Sequence, residues 1–123
     1  MENLVNVIVV SDHGMTPISP QQVIFIDDYI NMTEVNLVDA GPNLFLIPTQ
    51  NNEMAVFNAL NGAHPNMTVY LKPNIPPIWN YNDSIRYHYL CSCLTYRITP
   101  IFGVADLGWS ITTRGNYSVT YLY

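Results

Sequence analysis

Leu4-Val5-Asn6-Val7-Ile8-Val9-Val10 followed by Ser11-Asp12-His13-Gly14-Met15 is the stretch on which the fold reading turns. A short β-branched run that stops at a polar, glycine-containing loop reads as a buried strand delivering its C-terminus to a surface. An aspartate and a histidine adjacent at a strand end can turn towards one point once the strand gives way to loop. Gly14 permits the sharp turn this needs, because it carries no Cβ. In open α/β sheets ligands collect outside the carboxyl ends of strands, and Asp12 and His13 would stand there. Carboxylate oxygen and imidazole nitrogen both suit zinc, with bonds of about 2.0–2.1 Å, but two donors do not complete a four-coordinate site. The plainer alternative is an Asx-type turn, with Asp12 bonded to local backbone and His13 exposed.

Working outward, Met15-Thr16-Pro17-Ile18-Ser19-Pro20 is a loop because of its prolines, and Gln22 to Ile30 is extended, at least over Val23 to Ile26. Asn36–Val38 and Leu44–Pro48 flank the turn cluster Ala40-Gly41-Pro42-Asn43 and read as a hairpin. Asn51 to Leu60 is the helix candidate, with Met54, Phe57 and Leu60 on one face beside Val56. Asn51 or Asn52 would cap its start, and Asn61-Gly62 would end it. Met67–Leu71 alternates as a strand does, and the prolines of Lys72–Pro77 make a loop. Ile101 to Ile111 reads as two strands around a tight turn at Asp106–Gly108. The expected architecture is α/β, a mixed sheet with few helices, in one domain over residues 1–123.

Composition narrows the function classes. The chain has 123 residues, of which 49% are apolar and 11% charged, so it can build a core and is not a disordered type. Four Lys+Arg against nine Asp+Glu give a net charge of −5, which offers no electrostatic grip on phosphate backbones or polybasic attraction to membranes. The longest apolar run is too short to span a bilayer, and the N-terminus has no secretory leader. Cys91 and Cys93 stand too close for an easy mutual disulfide and leave the redox compartment open. The N-x-S/T pattern at Asn31, Asn66, Asn82 and Asn116 exceeds the roughly two matches this composition gives by chance and points to the secretory pathway. His64 and His88 read as loop histidines, Asp27 and Asp28 as a solvated turn or helix start, and Trp109 as a packed anchor.

Ile8 to Met15 resembles the metal-binding strand of the alkaline-phosphatase superfamily and, within it, the nucleotide pyrophosphatase/phosphodiesterase family. Three later stretches agree in order. Val69-Tyr70-Leu71-Lys72 with Ile75-Pro76 resembles the family's tyrosine–lysine strand, Arg97-Ile98-Thr99-Pro100-Ile101 its Arg-Ile-x-Pro segment, and Val104 to Ile111 its Ala-Asp-x-Gly-Trp element. The resemblance implies a fragment of an alkaline-phosphatase-like domain, the C-terminal part of a two-zinc phosphodiesterase. It acts on phosphodiester or pyrophosphate bonds of nucleotides or related small molecules, through a threonine nucleophile.

Asp12 and His13 match the pair that binds the zinc nearest that threonine, so half of one of the two zinc sites is present. No catalytic nucleophile is, because that threonine and the remaining ligands lie in segments this sequence does not contain. The resemblance further implies an extracellular or cell-surface parent, attached to a membrane only through a segment absent here. His88 to Tyr96 and the tail after Ile111 depart from the family pattern, as an alternative exon or splice boundary would produce. The other readings are a truncated, non-catalytic isoform or gene-model product acting by interaction, and a relative of the GPI ethanolamine phosphate transferases. The Gly-Trp element speaks against the latter.

Overall fold

A computed structural model describes residues 7–49, 51–81 and 98–117. Among the described residues six strands form two sheets, accompanied by one α-helix. Strands β2 (Val35–Asp39), β3 (Asn43–Pro48), β5 (Ile101–Ala105) and β4 (Met67–Leu71) lie side by side, in that order, in an antiparallel sheet. Strands β1 (Val23–Phe25) and β6 (Ser110–Thr112) form a separate parallel pair. The expected α/β architecture with few helices is therefore present, and its parallel and antiparallel pairings are divided between the two sheets.

The hairpin of β2 and β3 follows from its turn residues and from alternation: Leu44 and Leu46 are buried on one face while Phe45 points to the other. Strand β4 has the bounds its alternation predicts, with Met67 and Val69 buried. In register, Leu44 faces Gly103 and Gly103 faces Val69 across the middle of the sheet. Leu46, Ile101, Val56, Leu60, Ile24, Ile26 and Ile111 join them in one core. The opposite face carries rings: Phe45 and Phe102 lie 5.0 Å apart between centroids, and Tyr70 meets Trp79 edge-on at 5.5 Å.

The helix α1 (Glu53–Leu60) packs on β3 and β4. It ends where expected, with the Asn61 N–H donating to the Phe57 carbonyl and Gly62 at φ +75°, a conformation glycine adopts without steric cost. Its buried face differs from the expected one. Val56 and Leu60, four positions apart, are buried, whereas Met54 is 55% exposed. Spacing alone allows either stripe, and the position of β3 and β4 selects one. Asn52 stands at the N-cap without a side-chain cap bond.

Three further expectations are corrected. The extended stretch expected from Gln22 to Ile30 is a strand only over Val23–Phe25, and the chain then turns into a 3-10 helix at Ile26–Asp28. Val7 to Val10 form no strand and are 78–90% exposed, because no described strand lies alongside to take up their backbone groups; residues 4–6 lie outside the described residues. The turn at Asp106–Gly108 exists, closed by the Trp109 N–H donating to the Asp106 carbonyl at 2.9 Å. The strands on either side of it do not pair, however; each joins a different sheet.

The core geometry gives a discriminating test. Leu46→Ala should lower unfolding stability by about 2–5 kcal/mol, since its side chain is fully buried and leaves a cavity. Met54→Ala should stay within about 0.5 kcal/mol. Urea unfolding midpoints of the two variants measure the contrast.

Candidate metal centre

Asp12 and His13 follow the exposed run Val7–Val10, and their contacts are local. The Ser11 hydroxyl donates to the His13 carbonyl at 2.5 Å, and the His13 N–H donates to Asp12 Oδ1 at 3.0 Å. His13 Nδ1 lies 2.7 Å from the Gly14 carbonyl. A carbonyl only accepts, so the imidazole proton sits on Nδ1. In the neutral ring this leaves the Nε2 lone pair free, and Nε2 stands 3.5 Å from Asp12 Oδ2.

This arrangement passes a simple fit test for zinc. Two ligand atoms each about 2.0–2.1 Å from a tetrahedral ion stand roughly 3.3–3.4 Å apart. A backbone carbonyl on the distal nitrogen is the usual way a ligating histidine is oriented. The site is also open: the His13 and Asp12 side chains are 70% and 87% exposed. Among the described residues no group of three or more His, Cys, Asp or Glu side chains converges to hold a metal. Of the plainer alternative, the local backbone bond and the exposed histidine are present, but the bond runs to the next residue and not two residues on as in an Asx turn: Asp12 uses Oδ1 for it and leaves Oδ2 towards the imidazole.

The chain after the pair is seated on the rest of the fold. The Gln22 N–H donates to the Ser19 carbonyl, and the Gln22 carbonyl accepts from the Ser110 N–H at 3.0 Å. Gly108, at φ +83°, lies beneath this loop; a Cβ there would stand 3.3 Å from the Pro17 carbonyl oxygen. The Ala-Asp-Leu-Gly-Trp element thus supports the loop that leaves the Asp-His pair. Trp109 packs against the core as an anchor, with its ring 5.0 Å from that of His64. His64 is half-buried and structural, its Nδ1 accepting the Asn66 N–H at 3.1 Å.

Asp27 and Asp28 form a 3-10 turn rather than a freely solvated one, since both hold Arg114. The Asp27 carboxylate accepts the Arg114 N–H, and Asp28 takes the guanidinium through three hydrogen bonds of 2.7–3.2 Å. Hydrogen bonding to Asp28, then its charge, raises the Arg114 pKa above the ordinary value. Arg114 also lies 4.5 Å over the Phe25 ring. Residues 86 positions apart carry no local signal of this pairing, and sequence reading missed it.

Of the glycosylation candidates, Asn31 and Asn116 are exposed and Asn66 is half-buried, while Asn82 lies outside the described residues. So do His88, Cys91 and Cys93.

The profile of the family described as type I phosphodiesterase / nucleotide pyrophosphatase matches residues 1–122. The chain belongs to this family. It is 38% identical over 109 residues to human ectonucleotide pyrophosphatase/phosphodiesterase family member 5, a match covering 89% of this chain and 20% of that protein. It is 36% identical over 115 residues to the Xenopus laevis bis(5'-adenosyl)-triphosphatase enpp4, covering 94% of this chain and 23% of that one. The solved structure of murine ectonucleotide pyrophosphatase/phosphodiesterase 5 superposes with a TM-score of 0.73 at 39% identity, over 88% of this chain and 26% of that chain. An inactive variant of the murine protein, solved in complex with AMP, gives a TM-score of 0.71 at 38% identity over 86% of this chain and 26% of that one. The chain thus spans about a fifth to a quarter of these relatives.

The support beneath the loop is testable. Gly108→Ala should cost roughly 1–3 kcal/mol, through a left-handed backbone that an L side chain resists and a contact against Pro17. Gly115→Ala, with open space around its Cβ, should stay within about 0.5 kcal/mol. Thermal unfolding of both variants reads the difference.

Proposed function

We propose that this chain is part of the catalytic domain of a zinc-dependent phosphodiesterase that hydrolyses phosphodiester or pyrophosphate bonds of nucleotides or related small molecules. The observation that carries the reading is the convergence of His13 Nε2 and Asp12 Oδ2 at 3.5 Å, with the His13 Nδ1 proton held by the Gly14 carbonyl. Zinc at this pair would act as a Lewis acid towards a phosphoryl oxygen and the attacking nucleophile. Asp12 would supply the charged ligand and His13 the neutral one, and Gly14 would fix the tautomer that keeps Nε2 available. The names of the relatives, a bis(5'-adenosyl)-triphosphatase among them, support nucleotide substrates.

An extracellular or cell-surface setting is supported by the "ecto" of the relatives' names and by the N-x-S/T sequons. No helix among the described residues is long and apolar enough to cross a membrane. Two donors hold a metal weakly, and the threonine nucleophile expected from the family has no counterpart here. The chain by itself is therefore a half-site without turnover.

A second reading, a non-catalytic product acting by interaction, is favoured by the exposed apolar run Val7–Val10. Activity does not separate the two if the chain is inactive alone, whereas the transcript does: an open reading frame continuous upstream of Met1 favours the first reading, and zinc binding tests the half-site itself. Calorimetric titration of the chain with zinc should give weak binding that falls at least tenfold in both Asp12→Ala and His13→Ala. Zinc binding unaffected by either variant would remove the half-site reading. A zinc-dependent, Asp12-dependent hydrolysis of a nitrophenyl phosphodiester by the isolated chain would overturn the expectation of inactivity.

A further inference from the structure

The four N-x-S/T sequons are equal as sequence, and the fold separates two of them. Asn31-Met32-Thr33 is closed into a single turn by its own side chains. Asn31 Oδ1 accepts both the Thr33 N–H at 3.0 Å and the Thr33 hydroxyl at 2.9 Å. Asn31 and Thr33 are exposed, whereas Met32 between them packs against the hydrophobic core. The middle residue thus fixes the turn to the body of the protein while the two residues a glycosyl transferase must reach face outward. Both hydrogen bonds use the amide oxygen, and Asn31 Nδ2 has no hydrogen-bond partner among the described residues. Each contact spans two positions, so the turn can form as soon as the segment exists, before any tertiary structure.

Asn66-Met67-Thr68 is the opposite case. Asn66 Nδ2 donates to Asp106 Oδ2 at 3.1 Å, and the Asn66 carbonyl accepts the Asp106 N–H at 2.9 Å. The amide nitrogen that would carry a sugar is engaged with a residue 40 positions away. Met67 is buried as the first residue of β4, so Asn66 sits where that strand meets the Asp106 turn. Folding engages this nitrogen with Asp106 on a half-buried side chain and leaves that of Asn31 exposed without such a partner among the described residues. Asn116 is exposed, but the serine of its sequon, like all of the Asn82 sequon, lies outside the described residues.

We infer that Asn31 is a site of N-linked glycan attachment in this protein and is used in preference to Asn66. The donor is a lipid-linked glycosyl diphosphate. Asn31 Nδ2 forms a bond to the sugar's anomeric carbon as the carbon–oxygen bond to the diphosphate breaks. The lipid diphosphate leaves with the electron pair, and one amide proton passes to a base of the transferase. Asn31 keeps Oδ1 for the Thr33 hydrogen bonds after transfer, so the turn need not open to accommodate the sugar.

The test directs the chain into the secretory pathway of cultured cells behind a cleavable signal peptide, with an efficient acceptor sequon appended as a control. Supplying the signal separates this inference from the extracellular reading, which rests on where the native parent is found. Release of glycans by peptide-N-glycosidase in isotopically heavy water marks every formerly occupied asparagine as labelled aspartate, and peptide mass spectrometry then gives occupancy by site. The expected result is occupancy at Asn31 several-fold above that at Asn66, abolished by Thr33→Ala and retained in part by Thr33→Ser. An unmodified Asn31 alongside an occupied control sequon would overturn the inference, as would higher occupancy at Asn66 than at Asn31.

Discussion

The backbone from Ala105 to Ile111 joins parts of the chain that sequence holds far apart. The Ala105 N–H donates to the Pro42 carbonyl, and that of Asp106 to Asn66. The Ser110 N–H donates to Gln22, and that of Ile111 to Gly41, at 2.7–3.0 Å across the four. One short run therefore satisfies its polar groups against the β2–β3 turn, the start of β4 and the loop before β1. Of the four donors Ile111 is buried, where an amide left without a partner would cost of the order of 1–3 kcal/mol, and together the four bonds link the two sheets. Gly108 lets the run turn between them, and Trp109 and Ile111 fasten it to the core.

The candidate metal centre depends on that joint at one remove. Asp12 and His13 bond only to their immediate neighbours, and nothing among the described residues clamps them directly. What the fold fixes is the far end of their loop, where Gln22 meets Ser110 and Pro17 lies against Gly108. The Asp-His-Gly and Asp-Leu-Gly-Trp elements, nearly a hundred positions apart, are thus linked: the second supports the loop that leaves the first. Local bonding explains why two ligand atoms can stand at a zinc-like separation without any tertiary support. It explains equally why no third His, Cys, Asp or Glu side chain joins the pair among the described residues.

Several elements were legible because their causes are local. The hairpin around Gly41-Pro42, the alternation of Met67 to Leu71 and the helix stop at Asn61-Gly62 depend on residues within a few positions of one another, and each is where the sequence places it. The errors all concern partners. The Val7–Val10 run has strand character, but no described strand pairs with it and it lies exposed. Strands β5 and β6 flank a real turn yet belong to different sheets. The helix buries Val56 with Leu60 and exposes Met54, which spacing had placed on the apolar face with Phe57 and Leu60. Arg114 and Asp28 gave no sign of one another.

By itself, the sequence determined the family, through motifs whose order is recorded in the chain, and the residue types at the Asp12–His13 pair, because ligand chemistry is a property of side chains. It also determined the turns, since the conformations of Gly62 and Gly108 are set by the lack of a Cβ. The tertiary structure alone decided which strands pair, which helix face is buried and which of Asn31 and Asn66 has its amide nitrogen engaged by another described residue. Those outcomes depend on contacts between residues tens of positions apart, and a hydrogen bond such as that of Asn66 to Asp106 leaves no trace in the local pattern of either residue.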